Sequence, residues 1–388
     1  MIPYGRQDVT DADIEAAVQV LRSDFITQGS AVPRFEEAVA RCVGAKRAVA
    51  VNSATSALHV ACAGLGLGPG DWLWTVPNTF VASANCGLYC GAQVDFVDID
   101  PSTWSMSAAR LKDKLVAAKK AGKLPKVVVP VHFAGHPSDQ EQIWNLAQEF
   151  GFKVLEDASH SIGASCNGVA VGNCRWSDAT VFSFHPVKII TTGEGGMALT
   201  NDEELAERMG MLRSHGITRS PGRFLEKASA SWHYEQQLLG FNYRMTDIQA
   251  AIGFSQLQRL SAYVERRNAL ARRYDSGFRD LPLQLPIVRP GTRSAFHLYV
   301  VRVRPESAGM KRARIFDDLR RRGIGVNVHY MPVHLHPFYR QLGFGDGQFP
   351  ESEAYGQTAI TLPLYPRLSE EMQDQVLSSV ALALENAG

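Results

Sequence analysis

Lys188 lies in SFHPVKIITTGEGG (183–196), six residues ahead of Glu194 in a glycine-flanked turn. Lysine is ordinarily a surface residue, so a solvated lysine in a turn is the plain alternative. The run before it, TVFSF (180–184), is buried in character. In a low-dielectric pocket the ammonium is disfavoured and the pKa falls. The free amine can then attack an aldehyde and form a Schiff base. Asp157 closes an apolar run in VLEDASHSIGA (154–164), at a strand end where open α/β sheets place ligands. A carboxylate buried there needs a cation or a strong donor; the alternative is an exposed or helix-capping Asp. NSATSALH (52–59) marks a strand giving way to a helix. Free N–H groups and hydroxyls at such a helix start suit a phosphate, against an ordinary N-cap by Ser53 or Thr55. Phe80, in PNTFVASAN (77–85), follows another strand end and can stack on a ring or simply pack in the core.

In combination these parts match pyridoxal phosphate (PLP). That cofactor has a phosphate, a pyridine nitrogen that works best protonated, and an aldehyde. A carboxylate beside the nitrogen makes the ring an electron sink. The lysine holds the aldehyde and acts as a base once released. Other clusters carry less. GLGLGPGD (64–71) closes a helix and precedes a strand, so it reads as a C-cap and turn, not a dinucleotide loop. His329, His334 and His336 have no carboxylate or cysteine at a familiar metal-site spacing, and no metal is expected. KRARIFDDLRRRG (311–323) alternates basic and apolar residues as a solvated helix face does.

Positioning these residues requires a scaffold. Thr10 and Asp13 form a capping-box pattern opening a helix, and a second helix begins near Pro33. Strand-like and helix-like runs then alternate: RAVAVN, ATSALHVACAGLGL, WLWTV, FVASANCGLYCG, QVDFVDID, AARLKDKLVAAKKAG, KVVVPVHFAG, DQEQIWNLAQEFG and KVLEDAS. The strand-like runs are near-continuously apolar, as strands covered on both faces must be. This order predicts a mainly parallel, three-layer α/β sheet, with DATVFSF and GGMALTN as further strands around Lys188. Residues 217–240 read as a polar excursion, and MTDIQAAIGFSQLQRLSAYVERRNALARRYDSGF as one long helix or a bent pair. Pro282, Pro286 and Pro290 mark a linker before a smaller α+β lobe. The division expected is a large domain over 1–250, whose first helix can pack elsewhere, and a small one over 251–388.

The chain has 388 residues, 45% of them hydrophobic, enough for a sizeable core, and its formal net charge is +1. Nucleic-acid binders usually carry a basic excess, so no nucleic-acid partner is expected. The opening MIPYGRQDVTDADIEAA lacks the basic and apolar regions of a secretory signal, and no apolar run is long enough to span a bilayer. The six cysteines form no CxxC pair. A cytoplasmic protein with reduced cysteines, without membrane contact, is the expectation.

The motifs NSATSAL, PNTFVASANC, FVDIDP, PVHFAG, EDASHSIGA, SFHPVK…TTGEGG, LGFNYRMTDIQAAIG and VHYMPVH occur in the order found in the DegT-like sugar-nucleotide aminotransferases, fold-type I PLP enzymes. The chain resembles that family nearly end to end. The resemblance implies a seven-stranded PLP-binding domain with a smaller α+β C-terminal domain. It implies that Lys188 carries the cofactor, that Asp157 pairs with the ring nitrogen and that His160 lies near the ring. Thr55, with the backbone at Ala54, and Ser183 would hold the phosphate; Phe80 would stack. Asn242 would reach the phosphate from a second subunit, making a homodimer with shared active sites. Arg244, His329 and Tyr330 fall near the substrate or the subunit contact. The opening, AVNSATSALH and SFHPVK…TTGEGG look most like members on the pseudaminic acid route. These take a UDP-linked 4-keto-6-deoxy-N-acetyl hexose to its 4-amino sugar with L-glutamate as donor. The alternatives are another nucleotide 4-keto sugar, of perosamine or viosamine type, or a non-catalytic PLP-binding regulator. Ile189 follows the lysine where proline is expected in the most similar chains, and Glu194 has no role assigned. Relatives that dehydrate sugars carry histidine at the lysine position; Lys188 favours transamination.

Overall fold

The computed structural model describes residues 1–228, 230–304 and 308–387. Helix α1 (Asp11–Leu21) opens where the Asp13 carboxylate accepts from the Thr10 N–H at 2.9 Å. Helix α2 (Ala31–Val43) buries Val32, Phe35, Val39 and Val43 on one face and ends at Gly44, whose φ of 79° suits a left-handed cap. The strands that follow are β1 (Arg47–Val51), β2 (Trp72–Thr75), β3 (Gln93–Phe96), β4 (Val127–Val128) and β5 (Lys153–Asp157). After a small hairpin, β6 (Ser165–Cys166) and β7 (Val169–Ala170), come β8 (Ala179–Ser183) and β9 (Gly196–Thr200). Seven of them form one sheet in the order β1-β9-β8-β5-β4-β2-β3. The pairs from β8 through β5, β4 and β2 to β3 are parallel; β9 runs antiparallel to both β8 and β1.

The connecting helices are α3 (Ala54–Gly64), α4 (Ala82–Tyr89), α5 (Ala108–Ala121), α6 (Gln140–Phe150) and α7 (Glu203–Leu212). Every residue of β8 and β9 is buried, which the unbroken apolar runs anticipate. Strand β4 is shorter than KVVVPVHFAG suggests. Pro130 has no N–H to donate, and beyond it only a bridge from Val131 to Asp157 continues the pairing.

Register sets up the site. Val51 pairs with Gly196 and Gly196 with Ser183, while Asp157 pairs with Val181. The end of β1, the start of β9 and the end of β8 therefore lie in one row, with Asp157 beside it.

The excursion at 217–240 contains a two-residue pairing of β10 (Ile217–Thr218) with β11 (Glu235–Gln236); its residue 229 lies outside the described residues. The expected long helix is a bent pair, α8 (Asp247–Leu257) and α9 (Leu260–Gly277). Helix α1 packs on α8, where the buried Asp13 accepts from Arg259 Nη2 at 2.6 and 2.8 Å. Among the prolines, β12 (Leu283–Gln284) pairs with β14 (Tyr299–Val303), and β13 (Thr292–Arg293) with β6. Helix α10 (Ala308–Arg321), the short α11 (Pro337–Gln341) and α12 (Pro350–Thr358), strand β15 (Ala359–Leu362) beside β14, and α13 (Glu370–Glu385) complete the chain. One hydrophobic cluster gathers Leu270, Tyr274, Tyr299, Ile360 and Val376, and Ile2 joins it from the chain start. Among the described residues, no helix is long and apolar enough to cross a membrane.

Candidate active site

Loops from the strand ends and from the C-terminal part of the chain enclose a cavity of about 430 Å³. Lys188, Asp157, Ala54, Thr55, Phe80, His160, Ser183, His329 and Tyr330 all line it. These residues come from segments more than 270 positions apart in the chain, from Ala54 to Tyr330.

Lys188 is half-buried, and among the described residues its side chain has no hydrogen-bond or ion-pair partner. Burial pushes its pKa down from 10.5 to about 8, against the opposing pull of Asp157. Asp157 is 5% exposed. Its Oδ2 accepts from Ser83 Oγ at 2.6 Å and its Oδ1 from the Ser159 N–H at 3.1 Å.

Histidines His160, His297 and His329 border the amine. Burial, then the nearby Lys188, drives each of them below 6.5, His329 to about 3. They are neutral donors and acceptors at neutral pH. His160 Nδ1 accepts from the Ala134 N–H at 3.2 Å, so Nε2 carries the proton and donates to Tyr330 Oη at 3.2 Å. Burial pushes the Tyr330 phenol well above its ordinary range, with Asp157 adding to the shift. His329 Nδ1 lies 2.9 Å from Thr361 Oγ1. His297 stands 4.5 Å from the His160 ring, and its Nδ1 has no partner among the described residues. Phe80 is exposed, its ring 6.2 Å from that of Tyr330.

At the start of α3, Ser53 is the N-cap: its Oγ accepts from the Ser56 N–H at 3.1 Å. The Ala54 and Thr55 N–H groups remain without an intrahelical acceptor, which makes a small anion site. Gly196 keeps that site tight. A Cβ there would lie 2.4 Å from Ser53 O and 2.5 Å from Ala54 N. The cavity therefore offers free N–H groups with two hydroxyls, a held carboxylate and an unpaired amine. That set fits the phosphate, ring nitrogen and aldehyde of PLP.

Two expected residues lie elsewhere in the same chain. Asn242 forms a bridge with Ser214, and Arg244 Nη1 donates to Ser214 Oγ at 3.1 Å, bordering a separate hollow with Gln28 and Arg213. Conversely, Tyr4, Thr79, His185, Glu194, His297 and Asn327 also line the cavity. Thr79, His185 and Glu194 sit inside quoted motifs, so their signal was present. Glu194 is exposed, and its carbonyl is pinned by Thr192 Oγ1 at 2.7 Å and Gln249 Nε2 at 2.9 Å. Tyr4 lies in the opening that carries part of the resemblance, while His297 and Asn327 arrive by long-range folding from segments where no chemistry is legible locally.

The model of the DegT/DnrJ/EryC1/StrS aminotransferase family matches residues 7–381. The chain is 38% identical over 383 residues to the spore coat polysaccharide biosynthesis protein SpsC of Bacillus subtilis, spanning 98% of this chain and 96% of SpsC. Among solved structures, Spr1654 of Streptococcus pneumoniae in its PMP form superposes with a TM-score of 0.91 at 30% identity, over 100% of both chains. PseC of Helicobacter pylori, an aminotransferase involved in the biosynthesis of pseudoaminic acid, gives 0.90 at 32% identity, over 99% of each chain.

Proposed function

Since this chain belongs to the DegT/DnrJ/EryC1/StrS aminotransferase family and is a PLP-dependent sugar aminotransferase, we propose that it aminates the C4 ketone of a UDP-linked 4-keto-6-deoxy-N-acetyl hexose, with L-glutamate as amino donor. The observation that carries this reading is the unpaired, half-buried Lys188 in one cavity with Asp157, in a chain similar to PseC over 99% of its length. A second reading, amination of another nucleotide 4-keto sugar, draws on the 38% identity over 383 residues to SpsC, whose name places it in spore coat polysaccharide biosynthesis.

When bound, PLP supplies an electron sink for the charge that develops on the amino acid's α-carbon. The chain's own residues do the rest. Lys188 Nζ anchors the cofactor, then takes a proton as general base, a role for which a pKa of about 8 suits it. Asp157 holds a proton on the ring nitrogen. The Ala54 and Thr55 N–H groups, with the Thr55 and Ser183 hydroxyls, bind the phosphate. Phe80 covers the ring face. His160 lies near the cofactor ring and is hydrogen-bonded to Tyr330, which with His329 borders the space for the sugar. Asn242 reaches the phosphate of a second copy, so the working unit is a homodimer with shared sites, and Arg244 belongs to that contact or to the substrate. The protein acts in the cytoplasm, where nucleotide sugars are made.

The test is turnover of a panel of 4-keto nucleotide sugars with glutamate. Amination of the N-acetylated UDP sugar, ahead of perosamine- and viosamine-type ketones, supports the first reading. Preference for one of the others replaces it with the second.

A further inference from the structure

Asp157 is steadied by a hydroxyl pair that the reaction as described leaves unused. Ser83 Oγ lies 2.6 Å from Asp157 Oδ2 and 2.7 Å from Thr79 Oγ1. Ser83 has a single hydroxyl proton, and a carboxylate oxygen can only accept it. The direction of the second bond follows: Thr79 donates and Ser83 accepts. Ser83 is 0% exposed and Thr79 3%, so little water competes for either hydroxyl. Ser83 sits in the first turn of α4 and Thr79 in the turn just before it. Helix α4 packs against α3, whose first residues carry the anion site. The pair therefore ties the carboxylate to the same block that presents the phosphate donors.

We propose that Thr79 and Ser83 are positioning residues for Asp157. The relay from Thr79 to Ser83 to Asp157 Oδ2 fixes the rotation of the carboxylate, and with it the carboxylate's hold on the proton of the cofactor's ring nitrogen. The Ser159 N–H on Oδ1 braces the other oxygen. Neither hydroxyl takes part in bond making; both act through Asp157. This proposal rests on the assignment of Asp157 to the ring nitrogen.

The test reconstitutes the protein with PLP carrying ¹⁵N in its ring and reads the ¹⁵N resonance, with cofactor affinity measured by equilibrium dialysis. For Ser83→Ala we expect the resonance to move from the protonated toward the unprotonated position. Cofactor affinity should fall with it, by less than Asp157→Asn lowers it. Thr79→Val, which keeps the shape and removes the hydroxyl, should move the resonance the same way by less, and Thr79→Ser should leave it in place. If Ser83→Ala does not fold, the Thr79 pair decides the matter alone. Wild-type resonances in Ser83→Ala and Thr79→Val, beside an unprotonated one in Asp157→Asn, overturn the positioning role and leave Asp157's role standing. A fully protonated ring in Asp157→Asn overturns the assignment of Asp157, and the positioning role with it.

Discussion

Gly196→Ala should disable the anion site without touching any residue that contacts the sugar. The added Cβ would lie 2.4 Å from Ser53 O, where ordinary contact starts at 3.4 Å, so the two backbones must part by 3.4 − 2.4, about 1 Å. Neither side yields easily. Strand β9 is laddered to β1 on one side and β8 on the other, and α3 is buried along most of its length. Forcing them apart costs about 1–3 kcal/mol. It also displaces the Ala54 and Thr55 N–H groups from Ser183 by a comparable distance, which takes them out of hydrogen-bond range of one shared anion. Two donors lost to a charged phosphate, at about 1.5 kcal/mol each, weaken binding by about a hundredfold or more. Calorimetric titration of the apoprotein with PLP and with pyridoxal, which lacks the phosphate, separates the effects. The variant should lose most of the advantage that the phosphate gives, and a thermal melt should show an otherwise folded protein. Wild-type affinity for PLP in Gly196→Ala would refute the phosphate-site reasoning.

Other outcomes follow from the same geometry. A lysine with a pKa of about 8 is about one quarter neutral at pH 7.5, against about one in a thousand at 10.5. The rate at which apoprotein captures PLP should therefore rise with pH to a midpoint near 8, and a midpoint above 10 would contradict the burial argument. Asp157 opposes the fall of the Lys188 pKa, so Asp157→Asn should move that midpoint lower in the same stopped-flow assay. Burial raises the Asp13 carboxyl, but the bonds from Arg259 and Ser255 outweigh it and hold the pKa below 3.8. Its stabilising effect is present above 3.8 and is lost as pH falls through the lower folded value. Asp13→Ala should cost about 1–3 kcal/mol by urea unfolding at neutral pH, the range for removing one partner of a half-buried hydrogen-bonded pair, and much less in strong acid.

The parts of the site that lie within single loops were legible. Asp157 is the last residue of one apolar strand, Lys188 and the start of α3 follow two others, and the alternation of apolar runs marks the sheet that carries them. Membership in the family follows from motifs spread over the whole chain. What stayed hidden depends on tertiary approach. His297 reaches the cavity because Arg267 Nη1 holds the carbonyls of Phe296, His297 and Leu364 at 2.9–3.2 Å, a geometry no local pattern encodes. Tyr4 arrives from the chain start because Ile2 is anchored in the C-terminal core. Strand β4 is shorter than its apolar run suggests, because apolar periodicity cannot show that Pro130 interrupts the ladder and leaves a single bridge beyond it. At the start of α3, Ser53 proves to be the cap and so leaves Ala54 and Thr55 free, which makes the capping and anion-binding readings compatible.

The central claim is tested most directly by incubating the purified, PLP-loaded protein with the UDP-linked 4-keto-6-deoxy-N-acetyl hexose and L-glutamate, with Lys188→Ala alongside. The account predicts a 4-amino sugar and 2-oxoglutarate in equal amounts from the native protein, and none from the variant. No amino sugar from the native protein with this or any other 4-keto nucleotide sugar, or full turnover by Lys188→Ala, would contradict it.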